Sequence, residues 1–221
     1  KLAEVLTDWE NNLPTNIKLA YLPSPGRVKL RLTSKGANRK QVQQGIDEQV
    51  EKLTQLIPQY IYSTDNINLE ELVGKLLLNK QATLATAESC TGGYIAHLIT
   101  SISGSSEYFK GSVISYSNEI KINELGVNPT DIETYGAVSQ QVVEQMALGV
   151  LKKFKVDYAV STSGVAGPTG GSLEKPVGTV WIAVASKNRV ISKQFTFGKL
   201  RSVNIERSAV AALGMLREVV D

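Results

Sequence analysis

Ala82-Thr83-Leu84-Ala85-Thr86-Ala87-Glu88-Ser89-Cys90-Thr91-Gly92-Gly93-Tyr94-Ile95-Ala96-His97-Leu98-Ile99 changes its pattern midway. Residues 82–87 alternate threonine with small apolar residues and read as a strand. Residues 94–99 read as a helix. Between them stand two hydroxyls, a thiol and a glycine pair. The unpaired N–H groups at a helix start, together with the helix dipole, favour negative charge. The position suits a phosphate, an oxyanion or an activated hydroxyl. The same residues also suit a plain N-cap and a tight turn.

The alternation continues outward from this stretch. Residues 69–80 read as a helix before it. Residues 111–117 read as a strand, and residues 119–125 as a short helix. Ser139 caps a long helix carrying Val142, Val143, Met146, Val150, Leu151 and Phe154. Residues 157–161 form a mostly apolar strand running into glycines. Residues 177–185 and 190–197 resemble two neighbouring strands, and residues 204–220 a terminal helix. This order predicts an α/β fold, a three-layer α/β/α sandwich with an antiparallel pair near the end of its sheet.

A compositional seam falls near Tyr62-Ser63-Thr64-Asp65-Asn66. Ahead of it, Val28, Leu30 and Leu32 alternate with charge in a half-buried strand. Val42, Ile46, Val50, Leu53 and Leu56 recur at helical spacing until Pro58. Residues 17–22 read as another strand and residues 59–62 as a closing one, while the opening segment with Trp9 has no assignment. A unit of about 60 residues has a marginal core of its own.

The net charge of +3 comes from residues 1–63, with nine Lys/Arg against six Asp/Glu; the remainder is neutral. That excess is too small to argue nucleic-acid binding. Hydrophobic residues make up 42% and charged residues 20%, as in soluble globular proteins. No apolar run approaches the length of a membrane span and no signal-peptide pattern opens the chain, so a cytoplasmic setting is expected. The chain opens on lysine, and a longer parent protein is expected.

Three segments leave their strands with small polar residues: 88–93, 116–119 and 161–171. In an open α/β sheet ligands collect beyond the carboxyl ends of the strands. The third segment is glycine-rich but lacks a P-loop ending, and no dinucleotide fingerprint opens a helix. Cys90 is the only cysteine and His97 the only histidine. On one helix they lie about 10.5 Å apart in rise, too far to hydrogen-bond. With one histidine so placed, a Ser-His-Asp triad is unavailable, and a serine nucleophile needs another base. A lysine of lowered pKa is the known variant. Lys121, one turn beyond Tyr116-Ser117-Asn118, is the candidate, against the ordinary reading of a solvated helix lysine. Catalytic metal is not expected, since no Asp-x-Asp-x-Asp spacing or histidine motif occurs.

The stretch 87–93 resembles the signature of the CinA C-terminal domain. The agreement continues through Gly104-Ser105-Ser106, Tyr116-Ser117-Asn118-Glu119 with Lys121, and Leu125-Gly126-Val127. It runs on through Gly136-Ala137-Val138-Ser139, Gly164-Val165-Ala166-Gly167-Pro168, Gly170-Gly171 and residues 175–180. Residues 66–221 carry this likeness, and the stretch before the seam resembles the family's small KH-like linker domain. The resemblance implies a KH-like linker over 1–63 and an amidohydrolase domain over 66–221. It implies hydrolysis of the carboxamide of nicotinamide mononucleotide to nicotinic acid mononucleotide and ammonia, without metal or cofactor. Carried over by motif, Ser89 is the nucleophile, Lys121 the general base and Tyr116 a proton relay or orienting group. Thr91, Gly92 and Gly93 would offer N–H donors to the oxyanion or the phosphate. Asn118, Ser163 and Gly164 would line the pocket, with Arg201 and Arg207 on the 5′-phosphate. Ile205 stands where the family often has arginine, and Thr169 where it often has aspartate. A homodimer is expected, with neither membrane nor nucleic acid as a partner. The alternative is a catalytically vestigial nucleotide- or nucleic-acid-associated module, supported by Lys29, Arg31, Lys35, Arg39 and Lys40. Against it, Lys35-Gly36-Ala37-Asn38 falls short of the Gly-x-x-Gly loop with which a KH domain clamps nucleic acid.

Overall fold

A computed structural model describes residues 2–221, which divide into two compact units at Asn66/Ile67. In the first, helix α1 (Leu2–Asn11) precedes strands β1 (Ile17–Ser24) and β2 (Arg27–Ser34), and helix α2 (Arg39–Leu56) follows. β1 and β2 pair antiparallel, with Ser24 opposite Arg27. Pro25 and Gly26 make the turn between them, Gly26 in the left-handed region at φ +80°. Asn38 caps α2 by accepting from the Lys40 and Gln41 N–H groups. Leu6, Leu53 and Ile57 are buried together, with Trp9, Tyr21 and Leu30 packed on them.

One unassigned segment of this unit is resolved and one expectation is corrected. The segment with Trp9 is helical, and its apolar face supplies the core. Residues 59–62 form no strand: Tyr60 donates its N–H to Ile57 O in a turn, and its ring is exposed. A single stretch of β-suited residues does not make a strand without a ladder to join.

The second unit opens with α3 (Leu69–Asn79), β3 (Leu84–Glu88), α4 (Tyr94–Thr100) and β4 (Phe109–Ile114). It continues with α5 (Asn118–Leu125), α6 (Pro129–Tyr135), α7 (Gln140–Phe154), β5 (Tyr158–Gly164), β6 (Thr179–Ser186), β7 (Val190–Thr196) and α8 (Arg201–Val220). The sheet order is β4-β3-β5-β6-β7. β3 runs parallel to both β4 and β5, whereas β6 and β7 are antiparallel to their neighbours. α3, α4 and α8 cover one face, and α5, α6 and α7 the other. The result is a three-layer α/β/α sandwich with antiparallel strands at one end.

The central strands are buried on both faces, as their apolar runs require. Ala85, Ala87, Ala159, Ala183 and Ala185 are small enough to let α7 lie close through Val142, Val143, Met146 and Val150. Ser139 caps α7 by accepting the Val142 N–H. Helix α6 is an addition to the sequence reading, although Asn128 followed by Pro129 is an N-cap with proline at the first helical position. No helix among the described residues is long and apolar enough to cross a membrane.

Candidate active site

Because β3, β4 and β5 are mutually parallel, their carboxyl ends lie along one edge of the sheet. The three polar segments therefore converge there. They enclose a cavity of about 220 Å³ lined by Ser89, Cys90, Tyr116, Asn118, Lys121, Ser163, Gly164 and Arg201, with Ala137, Val138 and Ala166.

Ser89 follows the last residue of β3, and its N–H donates to Thr162 O at 3.0 Å. Gly92 and Gly93 then turn the chain into α4 at φ +60° and +96°, a region that side chains rarely adopt. A Cβ at Gly93 would also meet Ile114 Cδ1 at 3.1 Å. Past the end of the neighbouring strand, Ser117 caps α5 by accepting the Ile120 N–H, which starts the helix early enough to aim Lys121 inward.

Lys121 is 2% exposed. Its Nζ lies 3.1 Å from Ser89 Oγ, 2.8 Å from Ser115 O and 3.4 Å from Tyr116 O. Among the described residues no carboxylate forms an ion pair with it. Burial without a counter-ion holds its pKa below the usual lysine value. A neutral amine has two N–H donors and one lone pair. In that form Ser115 O and Tyr116 O would take the donors and leave the lone pair to accept the Ser89 hydroxyl proton. The arrangement can turn a serine into a nucleophile.

Cys90 also faces the cavity, but burial pushes its thiol up to about 12, so it stays protonated near neutral pH. His97 is exposed on α4, where its ring stacks on Tyr94 at 6.0 Å.

The helix start has an occupant that the sequence reading missed. Glu88, fully buried, turns its carboxylate onto α4. Oε2 accepts the N–H groups of Gly93 and Ile95, and Oε1 that of Ala96, at 2.8–3.1 Å. The Thr86 hydroxyl donates to Oε1 as well. The Gly92 N–H donates to Ser89 O. Gly92 and Gly93 therefore cannot offer N–H donors to a ligand, which corrects that assignment. The Thr91 N–H has no acceptor among the described residues, but its hydroxyl is buried against that of Thr162 at 2.8 Å. A glutamate at a strand end gives no sequence signal that its side chain will fold back over the following turn.

The remaining candidates separate clearly. Asn118 and Gly164 reach the cavity, and Gly164 must be glycine because a Cβ would press Thr179 O at 2.8 Å. Ser163 lines the cavity with its hydroxyl already donated to Ala137 O at 2.6 Å. Tyr116 is 61% exposed, and its hydroxyl accepts from Arg201 Nη2 at 3.0 Å. Arg201 also donates from Nη1 to Gly167 O at 2.9 Å. Arg207 is exposed and does not line the cavity, being six residues further along α8. That separation amounts to about 9 Å of rise and turns its side chain to another face. Asn204, buried in the first turn of α8, is a residue the sequence reading missed. It donates to Ala166 O and Gly198 O and accepts the Gly198 N–H, tying the glycine-rich segment to the helix that bears Arg201. No group of three or more histidine, cysteine, aspartate or glutamate side chains suited to a metal occurs among the described residues.

Comparison with known proteins gives a consistent picture. The profile described as CinA C-terminal domain matches residues 66–220, and that described as damage-inducible protein CinA KH domain matches residues 1–63. A CinA-like protein of Cytophaga hutchinsonii is 49% identical over 216 residues, covering 98% of this chain and 52% of that protein. One of Flavobacterium psychrophilum is 49% identical over 97% of this chain and 52% of its own length. The chain thus spans about half the length of these relatives. Among solved structures, the competence/damage inducible protein CihA of Agrobacterium tumefaciens superposes with a TM-score of 0.65 at 34% identity. That alignment covers 72% of this chain and all of the other. A CinA superfamily protein of Escherichia coli gives 0.66 at 28% identity, covering 72% and 94%.

Proposed function

The chain belongs to the CinA family, and on that premise we propose that its second unit is a carboxamide hydrolase acting on nicotinamide mononucleotide. The observation that carries the reading is the 3.1 Å approach of a buried, counter-ion-free Lys121 to Ser89 inside the cavity. The substrate itself is taken from the resemblance.

Lys121 Nζ takes the Ser89 proton as Oγ attacks the carboxamide carbon. The carbonyl oxygen becomes an oxyanion, for which the N–H groups of Cys90, at the cavity, and Thr91, beside it, have no acceptor among the described residues. The lysine then returns the proton to the amide nitrogen, the C–N bond breaks and ammonia leaves. The acyl group stays on Ser89 Oγ. Water attacks that ester, giving its proton to Lys121, which passes it to Ser89 Oγ as the acyl–oxygen bond breaks and the acid product leaves. Arg201 is the cationic side chain at the cavity placed for the 5′-phosphate. Its bond to Tyr116 links the binding end of the cavity to a phenol available for orienting the substrate.

Purified chain is expected to release ammonia from nicotinamide mononucleotide, with the same rate after exhaustive chelation. Loss of that release in Cys90→Ala, with Ser89→Ala fully active, overturns the serine assignment.

A further inference from the structure

The turn that carries Ser89 is gripped from β5 by a residue to which the reaction above gives no task. Thr162 stands opposite Glu88 in the parallel β3–β5 ladder and hydrogen-bonds Ser89 and Thr91 beyond it. Its carbonyl accepts the Ser89 N–H at 3.0 Å. Its hydroxyl lies 2.8 Å from the Thr91 hydroxyl. Thr162 and Thr91 are 0% and 3% exposed, so water does not substitute for these partners. Each hydroxyl has one proton. Whichever of the two donates, each hydroxyl is the other's partner.

We infer that Thr162 is a positioning residue for Ser89, holding the nucleophile within reach of Lys121 through its hydroxyl as well as its backbone. The inference rests on the reading of Ser89 as the nucleophile. A serine and its base work only when closely aligned, and a displacement of about 1 Å can cost on the order of 100-fold in rate. Thr162→Val keeps the carbonyl, the branching and the volume and removes only the hydroxyl. It strands the Thr91 hydroxyl in a dry interior, and the turn must shift to satisfy it. Thr162→Ser keeps the hydroxyl. Ser161→Ala, one residue earlier on β5, is the matched control. Ser161 is equally buried, and its hydroxyl donates to Val143 O at 2.6 Å, on the α7 side of the sheet.

The test uses the full chain and two readouts. One is kcat and KM for ammonia release from nicotinamide mononucleotide. The other is the rate at which a fluorophosphonate labels Ser89, forming the Oγ–P bond with loss of fluoride. Thr162→Val should lower kcat and the labelling rate about tenfold or more, with KM within about twofold. Thr162→Ser and Ser161→Ala should leave both rates near those of the unsubstituted chain. Thr91→Val removes the other hydroxyl of the pair and should repeat the loss; it decides the matter if Thr162→Val does not fold. Unchanged rates in a folded Thr162→Val variant, or equal losses in Ser161→Ala, overturn the inference. If the chain labels but releases no ammonia, the substrate reading fails and the labelling rates alone decide Thr162. If it does neither, the reading of Ser89 and this inference fall together.

Discussion

At the β3–α4 turn a buried carboxylate meets three backbone N–H groups; at the β4–α5 turn a buried amine meets only neutral oxygens. Both turns carry a strand into a helix at the same sheet edge, and both bury an ionisable side chain completely. Glu88 is matched by donors, and its partners fix the shape of the chain around Ser89. Lys121 has no anion beside it among the described residues, and its burial disfavours the charged form. The difference separates scaffold from chemistry. A charge that is fully answered holds structure, while one that is held out of its preferred state is available to take a proton.

The sharpest way to break this contrast is by activity. Lys121→Ala and Ser89→Ala should each lower the rate of carboxamide hydrolysis by about 1,000-fold or more, and the double variant little further, since the two act as one unit. Cys90→Ala should stay within about threefold, because its thiol is protonated and packs as a small apolar group. A fully active Lys121→Ala would assign the base elsewhere and erase the distinction between the turns.

The second test is stability. Glu88→Ala leaves the buried N–H of Ile95 and the half-buried ones of Gly93 and Ala96 without their acceptor, and it should lower unfolding free energy in urea by about 3 kcal/mol. Glu88→Gln keeps one oxygen and should lose less. A variant as stable as the unsubstituted chain would mean that α4 does not depend on its clamp.

A smaller effect separates the two arginines. Arg201→Ala should raise KM for the mononucleotide about tenfold or more and leave a phosphate-free analogue far less affected, since a hydrogen bond to a charged group is worth about 1.5–3 kcal/mol. Arg207→Ala should change neither, as that side chain is exposed and away from the cavity.

How far the sequence announces these turns follows from the range of the forces involved. Apolar alternation and the Ser139 cap are local, and the layers of the second unit follow from them. Spacing alone also removes His97 from Cys90 and brings Lys121 forward as a candidate base. The contacts of Thr162 with Thr91 and of Asn204 with Ala166 depend on strands and loops brought together from far along the chain, while those of Glu88 lie within eight residues but require its side chain to fold back over the turn. Residues 59–62 misled because strand-forming composition acts only through a neighbouring strand. Arg207 misled because an arginine near a helix start looks alike on any face until the packing of α8 selects one.

The last test turns on pH and sharpens the comparison at Lys121 alone. Its folded pKa lies below the unfolded value of 10.5, so between the two the unfolded chain binds more protons than the folded one. Stability contributed by this group is fully present above 10.5 and is lost as pH falls through the folded pKa. Lys121→Met keeps an unbranched chain but has no proton to bind. The difference in unfolding free energy, Lys121 minus Met, should therefore rise with pH across that window and be flat below it. Other titrating groups are common to both chains and cancel. The hydrolysis rate should share the lower boundary, increasing with pH as the amine loses its proton and levelling off before the ordinary lysine range. A stability difference independent of pH would mean that Lys121 titrates as an exposed lysine does. It would then resemble no base, and the β4–α5 turn would be scaffold like its neighbour.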